Sequence, residues 1–181
     1  MRSAGAAFLL IALAGCGGDT ERAMSADEVA AELAHLQIAP GQWETTSAVT
    51  AASGPNMPVN VRDEMLRHRR VASNCITPAE AAHPAANFLQ MQAGNACSYA
   101  DFAVADGRMR GTMRCTGGHL PGVMTTSIEG HYSPASVDIA MRMVATGQPR
   151  GADATIATRT ISRRIGPCPP APTELQKGAT P

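Results

Sequence analysis

The second half of the chain alternates between apolar and polar residues, and this alternation limits the folds that it can adopt. Alternating segments follow one another from Cys97 to Ile165, and short turns separate them. Asp106-Gly107 is a strong signal for a tight hairpin turn, and Ser133-Pro134-Ala135 marks another turn. Because successive side chains of a strand point to opposite faces, the pattern predicts consecutive antiparallel strands with one apolar and one polar face.

The two faces of this predicted sheet differ in chemistry. On the segment after the hairpin turn, the alternation assigns alternate residues to an apolar face, namely Met109, Gly111 and Met113. The residues between them fall on the polar face, namely Arg108, Arg110, Thr112 and Arg114. On a later segment Met141 and Met143 oppose Asp138 and Arg142. In the last segment the apolar phase shifts between Ile156 and Ile161, which indicates a β-bulge.

The first part of the domain is predicted to mix helices and strands. Ser25 and Glu28 have the spacing of a capping box, so we expect a helix over 26–37. Strands are expected over 42–50 and 71–76, a second helix over 59–69, and short helical turns after Thr77 and around Phe88. Since an apolar sheet face must be covered, the predicted fold is mainly β, of the α+β class. It is a twisted antiparallel meander sheet or partial barrel, with short helices covering one side.

The N-terminal stretch has the form of an export signal. Arg2 precedes an apolar segment, Ala4 to Ala14, which is too short to span a bilayer as a helix. Leu13-Ala14-Gly15-Cys16 resembles the lipobox of bacterial lipoproteins, in which the cysteine is acylated after cleavage of the preceding peptide. Gly17 stands where an aspartate would signal retention in the inner membrane. We therefore expect a lipid anchor at Cys16 and a location on the periplasmic face of the outer membrane.

Length and charge place limits on the remaining chain. We expect a signal peptide over 1–15, a lipidated tether over 16–24, an N-terminal helix over 25–39, a single β-rich domain over 40–168 and a disordered tail over 169–181. Formal charges balance over the 181 residues, so no basic excess argues for a nucleic-acid partner. Aromatic residues make up only 3% of the chain, which disfavours a surface for stacking sugars or bases.

Four cysteines remain after Cys16, and an even number in an oxidising compartment indicates two disulfides. Three pairings are possible. Cys97 and Cys115 lie at the far ends of the hairpin around Asp106-Gly107, so we favour that bridge together with Cys75–Cys168. A two-residue turn, however, would place Ser98 rather than Cys97 opposite Cys115. A bulge within the hairpin would correct the register by the one residue needed.

Several short motifs resemble those of domain of unknown function 3617, a family of small exported proteins of Gram-negative bacteria. The similar pieces, in chain order, are Pro40-Gly41-Gln42-Trp43-Glu44, Cys75-Ile76-Thr77, Cys97, Met113-Arg114-Cys115 and Arg163-Arg164-Ile165-Gly166-Pro167-Cys168. The resemblance implies export, paired cysteines and a β-rich domain. The family has no established activity or catalytic residues, so the resemblance implies no mechanism.

Residues with chemical potential are dispersed along the chain. The five histidines lie in separate predicted elements, and we interpret them as surface or loop residues: His35, His68, His83, His119 and His131. The methionines of the sheet could bind copper, but their inward positions favour core packing. The basic run 67–70 is interpreted as a solvated helix end rather than an anion-binding patch. We therefore predict no catalytic residue, metal or cofactor.

The resulting functional prediction is a non-catalytic envelope lipoprotein. It would be attached to the membrane by its lipid and would bind a protein or cell-wall partner in the periplasm. The alternative is a carrier of a small apolar ligand, held in a methionine-lined cavity of the curled sheet.

Overall fold

A computed structural model describes residues 22–85, 96–117 and 121–170. These residues form short helices and long strands. In chain order they are β1 (Ala23–Met24), α1 (Ala26–Leu33), β2 (Gly41–Ser53), α2 (Val59–Arg67), β3 (Arg69–Ile76), α3 (Pro78–Ala82), β4 (Ala96–Ala105), β5 (Arg108–Thr116), β6 (Val123–Ser133), β7 (Ser136–Thr146), a 3₁₀ turn (Pro149–Gly151) and β8 (Ala154–Gly166). None of the helices in these ranges is long and apolar enough to cross a bilayer.

The described strands form one antiparallel sheet in the order β1-β4-β5-β6-β7-β8-β2-β3. Strands β4 to β8 form a meander, which confirms the predicted class of fold. The sheet does not close into a barrel, because β1 and β3 remain at its two edges. Three of the expected helices, α1, α2 and α3, are present among the described residues, and α1 packs against β4.

Helix α1 covers one end of the apolar face. Its N-terminus has the predicted capping box: Glu28 N–H donates to Ser25 Oγ, and Ser25 N–H donates to Glu28 Oε2. The buried side chains of Val29 and Leu33 pack against the apolar residues of β4 and β5, including Tyr99, Phe102, Val104, Met109 and Met113. Burial of these side chains, rather than the eight-residue helix itself, holds α1 in place.

A bulge in β4 explains how the two cysteines of the first hairpin come to face each other. Asp106 and Gly107 both have positive φ, as a two-residue hairpin turn of this type requires. Val104 pairs with Met109 beside the turn, as expected, but the register shifts by one residue between Ala100 and Ala103. Cys97 therefore pairs directly with Cys115. The bulge lies at Asp101-Phe102, which is within the hairpin and away from its turn.

The last long strand, β8, pairs with β2 as well as with β7. The bulge expected between Ile156 and Ile161 was a wrong interpretation, since β8 pairs with β7 in one unbroken register. The two isoleucines simply lie on opposite faces. In the β2–β8 pairing, the extra residue at one register shift is Thr50 of β2, and the extra residue at the other is Ile165.

Two disulfides connect the sheet: Cys75–Cys168 and Cys97–Cys115. The first ties the edge strand β3 to the residues that follow β8, and its cysteines are 93 positions apart in sequence. The second lies between neighbouring strands, and Cys115 is part of the buried core. These are the two bridges favoured from the sequence.

The first half of the domain differs from expectation mainly in the lengths of its elements. Helix α1 ends at Leu33, earlier than the predicted end at residue 37. Trp43 of β2 is buried, and its indole N–H donates to Ala39 O at 3.0 Å. Strand β3 begins at Arg69, two residues earlier than predicted. The helical turn expected around Phe88 and most of the expected disordered tail lie outside the described residues.

Gly111 of β5 provides a test of how the core is packed. The ring of Phe102 lies against it, and the Cβ of any other residue at position 111 would collide with that ring. We expect Gly111→Ala to lower the free energy of unfolding by about 1–3 kcal/mol, because the ring must move within a packed core. Denaturant titration measures this loss. Gly166→Ala is the matched control, since its Cβ would meet no atom within 4 Å. Equal stability of the two variants would contradict this packing.

Candidate functional site

The polar face of the sheet carries its charged residues in a defined arrangement. Arg110 of β5 lies directly opposite Glu129 of β6, and Glu129 lies opposite Ala140 of β7. Ala140 in turn lies opposite Arg159 of β8. The next row across the sheet contains Thr112, Ser127, Arg142 and Ala157. Long arginine side chains thus stand among short ones.

This difference in side-chain length contributes to a groove on the polar face, with a volume of about 910 Å³. Its floor is made by the short side chains of the central strands, namely Thr112, Ser127, Ala140 and Ala157. Arg110, Arg142 and Arg159 rise around that floor. The volume falls in the range of small-ligand pockets, which is about 300–1,000 Å³. We call this feature the groove.

A β-bulge lies at each end of the groove. Thr50, the extra residue of β2, borders one end, and Asp101, in the bulge of β4, borders the other. In a flat sheet these strands, five places apart, would be separated by roughly 24 Å. Since bulges bend and twist the strands that contain them, we infer that the sheet curves around its polar face. Asp101 has a positive φ, and its Oδ1 accepts a hydrogen bond from the backbone N–H of Arg22 at 3.1 Å.

One arginine of the groove is held by a carboxylate. Arg159 donates from Nε to Asp138 Oδ1 at 2.8 Å and from Nη2 to Oδ2 at 2.6 Å. The hydrogen bond from Arg159, helped by its charge, lowers the pKa of Asp138 below its ordinary value, and the same pair raises the pKa of Arg159. The two-point contact fixes the orientation of the guanidinium. Arg159 is therefore a fixed wall of the groove.

The other two arginines keep their charges available. Among the described residues, neither Arg110 nor Arg142 has a carboxylate within ion-pair distance. Both side chains are exposed. Arg142 lies between Ser127 and Ala157 on the neighbouring strands, so no charge stands directly opposite it. The groove therefore presents unpaired guanidinium groups above a floor of small side chains, two with hydroxyls and two with methyl groups.

The residues singled out from the sequence do not converge on this groove. Cys16 and His119 lie outside the described residues. The cysteines of the domain form the two disulfides. The described histidines lie apart from one another, just after α1, at the ends of α2 and α3, and on β6. Met109 and Met113 are in the core, and Met124 packs against it. Of the sheet methionines, only Met141 borders the groove, and its place in the strand alternation puts its side chain on the face opposite Arg142.

In the parts of the chain that the structure describes, no three His, Cys, Asp or Glu side chains are close enough together to hold a metal ion.

The basic run 67–70 contains one ion pair, in which Arg67 Nη2 lies 2.8 Å from Glu64 Oε2. Both residues of this pair belong to α2, and Arg67 is the first residue of the run.

Sequence reasoning assigned Arg110 and Arg142 to the polar face correctly but attached no role to them. The available signal was the recurrence of arginines on the polar side of several neighbouring strands of the meander. What the sequence did not reveal was the curvature that turns this side into a groove, because curvature depends on bulges at Thr50 and Asp101.

The pair between Asp138 and Arg159 predicts a pH response. A pKa lowered in the folded state means that the pair stabilises the fold above the ordinary value of 3.8, and that this contribution is lost as pH falls through the lowered pKa. We expect Arg159→Gln to raise the pKa of Asp138 toward the ordinary value, as followed by NMR titration of its carboxyl carbon. Arg163→Gln serves as the control and should change it less, since Arg163 acts on Asp138 only through its charge. An unchanged pKa in Arg159→Gln would argue against the pair.

The comparisons with known proteins agree with the resemblance found in the motifs. No curated protein and no solved structure shows significant similarity to the chain. A family model described as "Protein of unknown function (DUF3617)" matches residues 38–168. This match covers more than half of the chain and includes β2 to β8 and both disulfides. The chain therefore belongs to the family of domain of unknown function 3617.

Proposed function

We propose that this protein is a lipid-anchored binding protein of the bacterial cell envelope, which holds a ligand in the groove on the periplasmic face of the outer membrane. The observation that carries the proposal is the groove itself, an open concavity of about 910 Å³ on the polar face of the sheet. Its arginines are exposed and its floor is made of small side chains, so a ligand can reach the charges without displacing a core residue.

The composition of the groove favours binding over catalysis. Its charged side chains are guanidinium and carboxylate groups, and the hydroxyls of Thr112 and Ser127 lie on the floor between them. These groups form hydrogen bonds and ion pairs at neutral pH. We therefore propose a protein that recognises its ligand and leaves it chemically unchanged.

The geometry favours this groove over the alternative of a methionine-lined cavity. Met109 and Met113 are packed beneath α1 on the apolar face, and Met143 is partly exposed on that same face. A carrier of an apolar ligand would need an enclosed space beside these side chains. The groove lies on the opposite face and contains charged groups.

The proposed location rests on the sequence around Cys16. An acyl group contributes about 0.8 kcal/mol for each buried methylene, and more than one chain gives stable attachment. The folded domain would then need no membrane contact of its own.

The anchor can be tested on the full chain expressed in a Gram-negative host. We expect the intact mass of the mature protein to show cleavage before Cys16 and added acyl chains, and we expect the protein to fractionate with membranes. Cys16→Ala should abolish both results. A mature protein with an unmodified N-terminus would refute the anchor while leaving the groove untouched.

Occupancy of the groove can be tested by photo-crosslinking in intact cells. We expect a benzophenone amino acid at Thr50, which borders the groove, to trap a discrete adduct visible by mass spectrometry of the purified protein. Thr116 is the matched control, because it is also an exposed threonine on the polar face but lies outside the groove. Adducts at neither position, or equally at both, would overturn binding in the groove.

A further inference from the structure

The charges of the groove are unevenly compensated, and this unevenness indicates the chemistry of its ligand. Arg159 is neutralised by the two-point contact with Asp138. Arg110 stands opposite Glu129, so its field is partly offset even without a direct ion pair. Arg142 has the neutral residues Ser127 and Ala157 on its two sides. Positive charge is therefore least compensated at Arg142.

We propose that the groove binds a small solute carrying an oxyanion, either a carboxylate or a phosphate group, and that Arg142 is its principal binding residue. This proposal rests on the proposed function, since it names the ligand class for the same groove. Guanidinium groups bind both kinds of oxyanion through paired N–H donors, and these charge-assisted hydrogen bonds are stronger than neutral ones.

The neighbours of Arg142 suit such a ligand. Ser127 lies directly opposite it on β6, and Thr112 lies opposite Ser127 on β5, so two hydroxyls continue the row from the guanidinium. Ser127 Oγ donates to the main-chain O of Arg142 at 3.5 Å, a long contact that it can exchange for an anion. Hydroxyls can donate to the remaining oxygens of the anion. On the other side, Ala157 leaves space over the floor. Arg110 lines the same groove in the neighbouring row and adds a second positive charge, which Glu129 opposite it partly offsets.

The acidic groups of the groove set the orientation of the ligand. Glu129 borders the groove two residues along β6 from Ser127, and Asp101 closes the end at β4. Both carboxylates repel an anion from that part of the groove. The oxyanion is therefore directed to Arg142, and a hydroxyl or amine of the same solute would face Glu129. The volume of about 910 Å³ favours a small solute over a folded partner.

The test uses the full lipidated protein in detergent micelles, titrated calorimetrically at low ionic strength with inorganic phosphate and, separately, with succinate. We expect at least one probe to bind, and the probe that binds identifies the oxyanion as phosphate or carboxylate. Arg142→Gln should weaken that binding at least about tenfold, the loss expected for a hydrogen-bonded charge pair. Arg142→Lys should restore only part of it, because the paired donors are absent.

Two controls separate the groove from general attraction of anions. Arg114 lies on the same strand and the same face as Arg110 but outside the groove. Arg114→Gln removes one positive charge there and should change the affinity less than about twofold. Ala140→Phe keeps every charge but fills the floor at an exposed position, and should abolish binding. Circular dichroism checks that each variant is folded.

Three results would overturn the proposal: no binding of either probe, an equal loss in Arg114→Gln and Arg142→Gln, or full binding by Ala140→Phe. None of these results depends on the crosslinking experiment. If Thr50 traps an adduct while neither probe binds, the groove binds a ligand of another class and the proposed function stands. If neither experiment succeeds, both proposals fail.

Discussion

The pairing of β2 with β8 is the constraint on which the rest of the sheet depends. Without it, β2 and β3 would form a separate hairpin, because the meander from β4 to β8 provides no other partner for them. The pairing joins residues more than 100 positions apart, and cross-strand hydroxyl contacts such as Thr45–Ser162 support it. Pairing at such separation is slow and entropically costly. The Cys75–Cys168 bridge crosses the same region, and closing a loop of this length contributes about 4–5 kcal/mol in the chain-entropy model.

This long-range pairing also determines where the sheet bends. Thr50 has no partner in the register of β2 with β8, so β2 bulges there. Asp101 lies in the corresponding bulge of β4, where the register of β4 with β5 shifts by one residue. The second bulge has two consequences on the apolar face. It brings Cys97 opposite Cys115, and it places Phe102 over Gly111 on the apolar face. One irregularity thus serves the disulfide, the core and the end of the groove together.

The sequence predicted what is determined locally. The turn at Asp106-Gly107, the capping box at Ser25 and the short helix after Thr77 depend on residues close in the chain, and all three are present. The assignment of the residues of β5 to an apolar and a polar face was predicted from simple alternation. The position of the β4 bulge could not be predicted, although the one-residue mismatch at Cys97 showed that a bulge was needed. The pairing of β2 with β8 and the resulting curvature could not be predicted either. Alternation indicates on which face of a sheet a residue lies, but not which strands are neighbours.

The distribution of charge on the curved sheet argues for recognition rather than stability. Exposed ion pairs contribute about 0–1 kcal/mol, so leaving Arg110 and Arg142 without carboxylate partners costs the fold little. A curved sheet that served stability alone would place its apolar side chains in the concavity, where they lose the most contact with water. Here the apolar residues of β4 and β5 are covered by α1, and the concavity contains charged residues. Arg159, fixed by Asp138, maintains one wall, while Arg142 keeps the charge that would bind the proposed oxyanion.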